Sequence, residues 1–183
     1  YKGRGDIMSA FEIKECRELS KTKSEIGKTT KAFESAKNSE VNTPRHIPTI
    51  NEAYEGKVYP GTNVEYRRRV FKVNGEKVEG VFPQFESKFD VMLPPSMREA
   101  SDMDQFKFCT KRLEKRIEAD PEFAKKFTPR QLEQIKNGEP RIAGLTWHHN
   151  ERPGHMQLVS QTEHNICRHT GGRNIWGGGS GNR

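Results

Sequence analysis

The 183-residue sequence has no long hydrophobic run, only three cysteines and only two tryptophans. No apolar stretch approaches the roughly 18 residues that a bilayer-spanning helix needs, so membrane insertion by this chain is not expected. No charged-then-apolar secretory start is visible. Cys16, Cys109 and Cys167 are odd in number and far apart. That excludes a disulfide scaffold and points to a reducing or ambivalent compartment. Apolar residues make up 31% of the chain, too few for a core along the whole length. The expectation is one compact domain of about 120–140 residues with a polar extension. The chain opens at Tyr1 rather than Met, which reads as a piece of a longer protein whose remainder carries any targeting information.

Charge is what the chain has in quantity. Lys plus Arg total 32 against 25 Asp plus Glu, a net charge of +7, and the pI is about 9.4. Such an excess asks for an anionic partner. A membrane surface is the weaker choice, because no basic amphipathic helix carries Trp or Leu along one face.

The sequence divides into three parts. Residues 1–48 are rich in Lys, Glu, Ser and Thr. Ile7, Met8, Phe11, Ile13, Leu19, Ile26 and Phe33 are scattered without a helical stripe, so this part reads as a linker or polar arm. Residues 49–138 read as a scaffold of a hairpin plus helices. Arg67 to Phe82 carries β-branched and aromatic flanks around Asn74-Gly75, the pair that suits a type I′ turn, and Pro83 reads as the end of the second strand. The spacing of Met103, Phe106, Cys109, Leu113 and Ile117 predicts an amphipathic helix. It is capped by Ser101 with Asp104 and stopped at Asp120-Pro121. Thr128-Pro129 with Gln131 predicts another capped start and Asn137-Gly138 its stop.

Residues 139–183 are different in kind. Five of the six histidines fall between positions 148 and 169. Ile142–His149 reads as a strand, Asn150–Gly154 as a turn and Met156–Val159 as a second strand. A helix capped by Ser160 and Glu163 then places His164 and Arg168 on one face, with His169 at or beyond its end, before a Gly171-Gly172 break. Gly177–Gly181 reads as a flexible tail. A strand–turn–strand–helix unit can bring His148, His164 and His169 to one point. Three neutral imidazoles on a divalent cation leave positions open for water and substrate. His149 beside them is a candidate general base. A closed structural zinc site is the bland alternative, with Cys167 its only nearby thiol. Trp147 and Cys167 read as packing residues, His155 as a turn residue and His46 as incidental. Arg67, Arg68 and Arg69 read either as a phosphate-binding strand or as a charged edge that discourages aggregation.

Trp147-His148-His149, Met156-Gln157-Leu158-Val159, His164 and His169-Thr170-Gly171-Gly172 resemble the Trp-His-His branch of the HNH/endonuclease VII superfamily. Domains of that kind form the C-terminal effectors of bacterial polymorphic toxins of the LXG and contact-dependent inhibition types. The resemblance covers about 140–177, with a softer likeness from Gly56 to Gly138. It implies an α+β fold with a ββα-metal (His-Me finger) catalytic unit. It makes His149 the base that activates water, with His148 beside it at the catalytic centre. His148, His164 and His169 are its metal ligands, for Mg, Mn, Zn or Ni. Gln157 stands where the family has an Asn that orients the base, and Arg168, Arg173 and Gln157 are candidates to bind substrate or hold phosphate oxygens. The implied activity is a metal-dependent endonuclease toxin that hydrolyses phosphodiesters to 5′-phosphate and 3′-hydroxyl ends. DNA is the favoured substrate, with little sequence specificity. A ribonuclease on the same scaffold and a non-catalytic zinc-stabilised nucleic-acid-binding module are the alternatives. The resemblance further implies a cognate immunity protein, with an acidic surface opposite the basic nuclease face, and delivery from the producer cell into the target-cell cytoplasm.

Overall fold

The computed structural model describes residues 21–32 and 43–182. The expectations for Ile7, Met8, Phe11, Ile13, Leu19, Phe33 and Cys16 lie outside these residues. Contacts divide the chain into two units, Tyr1–Thr43 and Pro44–Arg183. In the first, 21–32 form a helix, α1, that is exposed along its whole length. Thr30 donates its hydroxyl to the Ile26 carbonyl at 2.8 Å, and Ile26 itself stays exposed, so this helix has no buried face.

The second unit is α+β. Its described strands form two three-stranded sheets. The first sheet holds β1 (Arg45–His46), β2 (Glu65–Val73) and β3 (Glu76–Gln84) in the order β1-β3-β2. Asn74 and Gly75 have φ of 50° and 83°, as the primed turn predicted from Asn-Gly requires. β3 does not end at Pro83, however, and runs one residue further. The reason lies across the ladder. Pro83 is opposite Tyr66, but the Tyr66 N–H donates to Lys57 O and its carbonyl accepts from Gly56 N. Tyr66 therefore asks no hydrogen bond of Pro83. On the other side of β3, β1 pairs only at Val78 and Glu79. A proline is tolerated where neither neighbour needs its missing donor.

The second sheet has the order β4-β6-β5, all antiparallel, from β4 (Ser87–Met92), β5 (Leu145–His149) and β6 (His155–Ser160). β5 starts at Leu145, three residues later than expected. Gly144 has φ 73°, a conformation that breaks the strand. Helix α2 (Asp102–Ala119) covers this sheet. Its Cys109 and Leu113 are fully buried in one cluster with Trp147, Met156 and Leu158. The expected stripe is partly realised: Met103 faces solvent, and the polar Gln105 and Thr110 are buried in its stead.

The caps are mostly as the sequence indicated. Ser101 Oγ accepts from Asp104 N at 3.2 Å and donates to the Asp104 carboxylate at 2.7 Å. Asp120 caps the short α3 (Pro121–Ala124). Thr128 and Gln131 form a reciprocal box at the start of α4 (Pro129–Lys136). At α5 (Gln161–Ile166) only half a box forms, because the Glu163 carboxylate accepts from Asn63 N instead. Helix α6 (Gly172–Trp176) follows, so Gly172 begins a helix rather than ending structure. Gly179–Asn182 forms a 3-10 turn where a flexible tail was expected.

Candidate metal and catalytic centre

β5 places two histidines at its last two positions, and adjacent side chains of a strand point to opposite faces. On one side, His148 meets His164 from α5 and His169 from the loop after it. Ring centroids are 5.3 Å apart for His148–His164 and 4.9 Å for both His148–His169 and His164–His169. One ligating nitrogen from each ring lies within 4.8 Å of the others. Three convergent imidazoles suit Zn or Ni, and the set fits a divalent ion as expected from the sequence.

Phe85, between β3 and β4, packs its ring against all three imidazoles at 4.9–5.5 Å. Burial, with the neighbouring histidines adding to it, pushes His148 well below the ordinary histidine value. Burial first, then His169, brings His164 down to about 4, and burial also lowers His169. The rings are therefore neutral near pH 7, the form that offers a lone pair to a metal. His169 Nδ1 lies 2.6 Å from Cys167 O. A carbonyl can only accept, so Nδ1 carries the proton and Nε2 is the nitrogen left to ligate.

The loop that carries His169 is clamped from β2 and from the segment between β1 and β2. Asn51 Nδ2 and the Tyr66 hydroxyl both donate to Arg168 O, at 2.6 and 2.7 Å. Ile50 N donates to Thr170 Oγ1 at 3.1 Å. These clamps were not visible in the sequence, because they join residues more than 100 positions apart.

His149 faces the other way, towards α2 and α6. It is 9% exposed. Its Nε2 lies 2.7 Å from Gln105 Oε1 and 3.7 Å from Asp102 Oδ1. The rings of Phe106 and Trp176 flank it at 5.8 and 5.7 Å. His148, His149, His164, Arg168, His169 and Arg173 nevertheless line one open cleft of about 520 Å³.

Three further expectations are corrected. α5 ends at Ile166 and Cys167 is extended (φ −78°, ψ 91°), so His164 and Arg168 do not share a helix face. Arg168 still lines the cleft and is exposed. Arg173 is instead 3% exposed. It pairs with Asp102 at 3.3 Å and donates to Ala100 O and Gln105 Oε1 at 2.9 and 3.2 Å, so its guanidinium is committed inside the fold rather than poised for phosphate. Gln157 pairs opposite His148 in the ladder but does not reach His149. Its Oε1 accepts from Asn150 Nδ2 at 2.9 Å, and it lines a smaller cavity beside Arg69 and Glu151.

The remaining candidates fall on the packing side. Trp147 is buried and donates to Thr110 Oγ1 at 3.2 Å. Cys167 is fully buried, His155 meets Asp90 at 3.0 Å and His46 meets Glu52 at 3.0 Å. Arg67 pairs with Glu65, Arg68 with Glu55 and Glu79, and Arg69 with Glu151.

A family model described as the DNase/tRNase domain of colicin-like bacteriocin matches residues 74–171, which take in the hairpin turn, α2 and all four clustered histidines. The chain belongs to that family. No curated protein and no solved structure matched it in the same comparisons. The chain is thus a nuclease toxin domain of the DNase or tRNase kind. Domains of this family act on nucleic acid in target cells, typically use a divalent metal and are typically paired with an immunity protein. No helix among the described residues is long and apolar enough to cross a membrane. Asn51, Tyr66, Arg173 and Trp176, which brace this toxin domain's histidines, lie outside the matched span.

Proposed function

We propose that the chain is an HNH-type, metal-dependent endonuclease of the polymorphic-toxin class that hydrolyses phosphodiester bonds, with DNA the favoured substrate. The observation that carries this reading is the convergence of His148, His164 and His169 to within 4.8 Å with His149 next to them on β5. His148, His164 and His169 hold the ion. When bound, a divalent ion polarises the scissile phosphate and stabilises the charge on the leaving 3′-oxygen.

The protein's own groups do the rest. His149 takes the proton from the attacking water, whose oxygen displaces the 3′-oxygen from phosphorus; solvent water protonates that leaving oxygen, giving a 5′-phosphate and a 3′-hydroxyl. Arg168, exposed on the cleft wall, binds a phosphate oxygen by a charge-assisted hydrogen bond. The +7 charge adds attraction to the backbone irrespective of sequence. Nothing in the sequence resembles a base-reading module, so little sequence specificity is expected. The same positive excess favours an immunity protein with an acidic contact surface.

The test incubates chelator-stripped protein with plasmid DNA and with total RNA, in EDTA or with Mg²⁺, Mn²⁺, Zn²⁺ or Ni²⁺. Metal-restored loss of DNA supports the proposal. Metal-restored loss of RNA alone keeps the site and changes the substrate. Cutting that survives EDTA overturns the metal-dependent reading, and metal-stabilised binding without cutting moves the chain to a zinc-stabilised binding module.

A further inference from the structure

The first turn of α2 reaches the end of β5 through Asp102 and Gln105, three residues apart on one helix face. Gln105 is fully buried although it occupies the helix that covers the core, and its amide is saturated. Nε2 donates to Met97 O and Arg98 O, each at 2.8 Å. Oε1 receives Arg173 NH1 at 3.2 Å and faces His149 Nε2 at 2.7 Å.

This arrangement has one chemically consistent orientation. Two backbone carbonyls can only accept, so the amide nitrogen must face them. A guanidinium can only donate, so the amide oxygen must face Arg173. With the oxygen fixed, the neutral His149 ring meets it through Nε2–H. Its basic lone pair is then on Nδ1.

We infer that Gln105 is a positioning residue for the nuclease reaction, holding His149 in the Nε2–H tautomer so that Nδ1 is the atom that accepts the proton from water. Asp102 is placed to support the same network. Its Oδ1 lies 3.3 Å from Arg173 Nε and 3.7 Å from His149 Nε2, so it pairs the cation that holds the Gln105 oxygen. The inference rests on the assignment of His149 as the base, which a His149→Ala variant tests separately.

The deciding measurement is a long-range proton–nitrogen correlation spectrum of histidine-labelled, Zn²⁺-loaded protein, with the His149 ring assigned by its loss in His149→Ala. The inference predicts a single Nε2–H tautomer in the wild type. In Gln105→Leu it predicts loss of that single form. The single-turnover cleavage rate should fall by at least about tenfold, within the roughly 100- to 10,000-fold that a general base contributes. Zn²⁺ affinity and nucleic-acid binding should stay unchanged. If Gln105→Leu does not fold, Gln105→Met removes the acceptor oxygen with an unbranched side chain of similar length and should show the same losses. An Nδ1–H ring in the wild type overturns the inference, as does a Gln105→Leu or Gln105→Met protein that keeps both tautomer and rate. Full cleavage by His149→Ala overturns the base assignment instead, while the spectrum still decides what Gln105 does.

Discussion

Trp176 donates its indole N–H to the carbonyl of Asn150 at 2.9 Å, and this contact ties α6 to the residue that follows the histidine pair. Gly172 makes the approach possible. A Cβ there would collide with Asn150 O and Trp176 Nε1. Asn150 cannot retreat, because its N–H donates to His155 O and its side chain bonds Gln157 and Arg152 N. Gly172→Ala is therefore expected to lower stability by about 3 kcal/mol, the upper end of overpacking, and to reduce cleavage more than stability loss alone explains. Urea unfolding and a nuclease assay at a temperature where the variant is folded check this. A variant within about 0.5 kcal/mol of wild type contradicts it.

The histidines should separate into two classes when metal binding is measured by calorimetry. His148→Ala, His164→Ala and His169→Ala each remove a ligand. Loss of a group that merely orients a ligand costs about 10- to 100-fold in affinity, so loss of the ligand itself should cost at least as much. His149→Ala should bind metal within a few-fold of wild type. Equal losses at all four positions would merge the two classes and contradict the division of roles.

Tyr66 links alkaline stability to the clamp on the His169 loop. Its ring is fully buried, and burial pushes its phenol up to about 12. The unfolded phenol ionises near 10. The folded state therefore holds the proton longer, so the stabilisation is complete below pH 10 and is lost as pH rises from 10 towards 12. Tyr66→Phe should be less stable at pH 8, by about 1 kcal/mol for the lost bond to Arg168 O. It should lose less stability than wild type between pH 9 and pH 11. Parallel curves in that window would contradict the prediction.

Arg69 and Glu151 form an ion pair at 3.2 Å whose carboxylate side chain is 2% exposed while the arginine is 34% exposed. Arg69→Met leaves the acid buried alone. Removing one partner of a fully buried pair costs about 3–5 kcal/mol; the solvated arginine reduces this, so about 2 kcal/mol is expected. Adding Glu151→Gln should recover part of that loss. A double variant no more stable than Arg69→Met alone would show that the pair is not what Arg69 contributes.

Local chemistry made much of this molecule readable from sequence. Asn74-Gly75 named its own turn, because both residues tolerate positive φ. Ser101 and Thr128 marked helix starts, because their side-chain oxygens can take up the unpaired N–H groups there. His148, His164 and His169 were found from their density and the strand–turn–strand–helix pattern around them. What stayed hidden depends on long-range partners. Pro83 continues a strand only because Tyr66 turns its hydrogen bonds to residues 56 and 57. Arg173 looked like a free cation until Asp102 and Gln105 were placed beside it. Gln105 lies off the apolar stripe that marked its helix, and nothing near it in sequence told of His149, 44 positions away.

The central claim, that His149 performs the proton transfer beside a three-histidine metal site, is tested most directly by single-turnover cleavage with wild type and His149→Ala at equal, measured metal occupancy. The account predicts metal-dependent cutting by the wild type, and a rate roughly 100- to 10,000-fold lower in the alanine variant with metal and substrate still bound. Cutting by His149→Ala at the wild-type rate would contradict it.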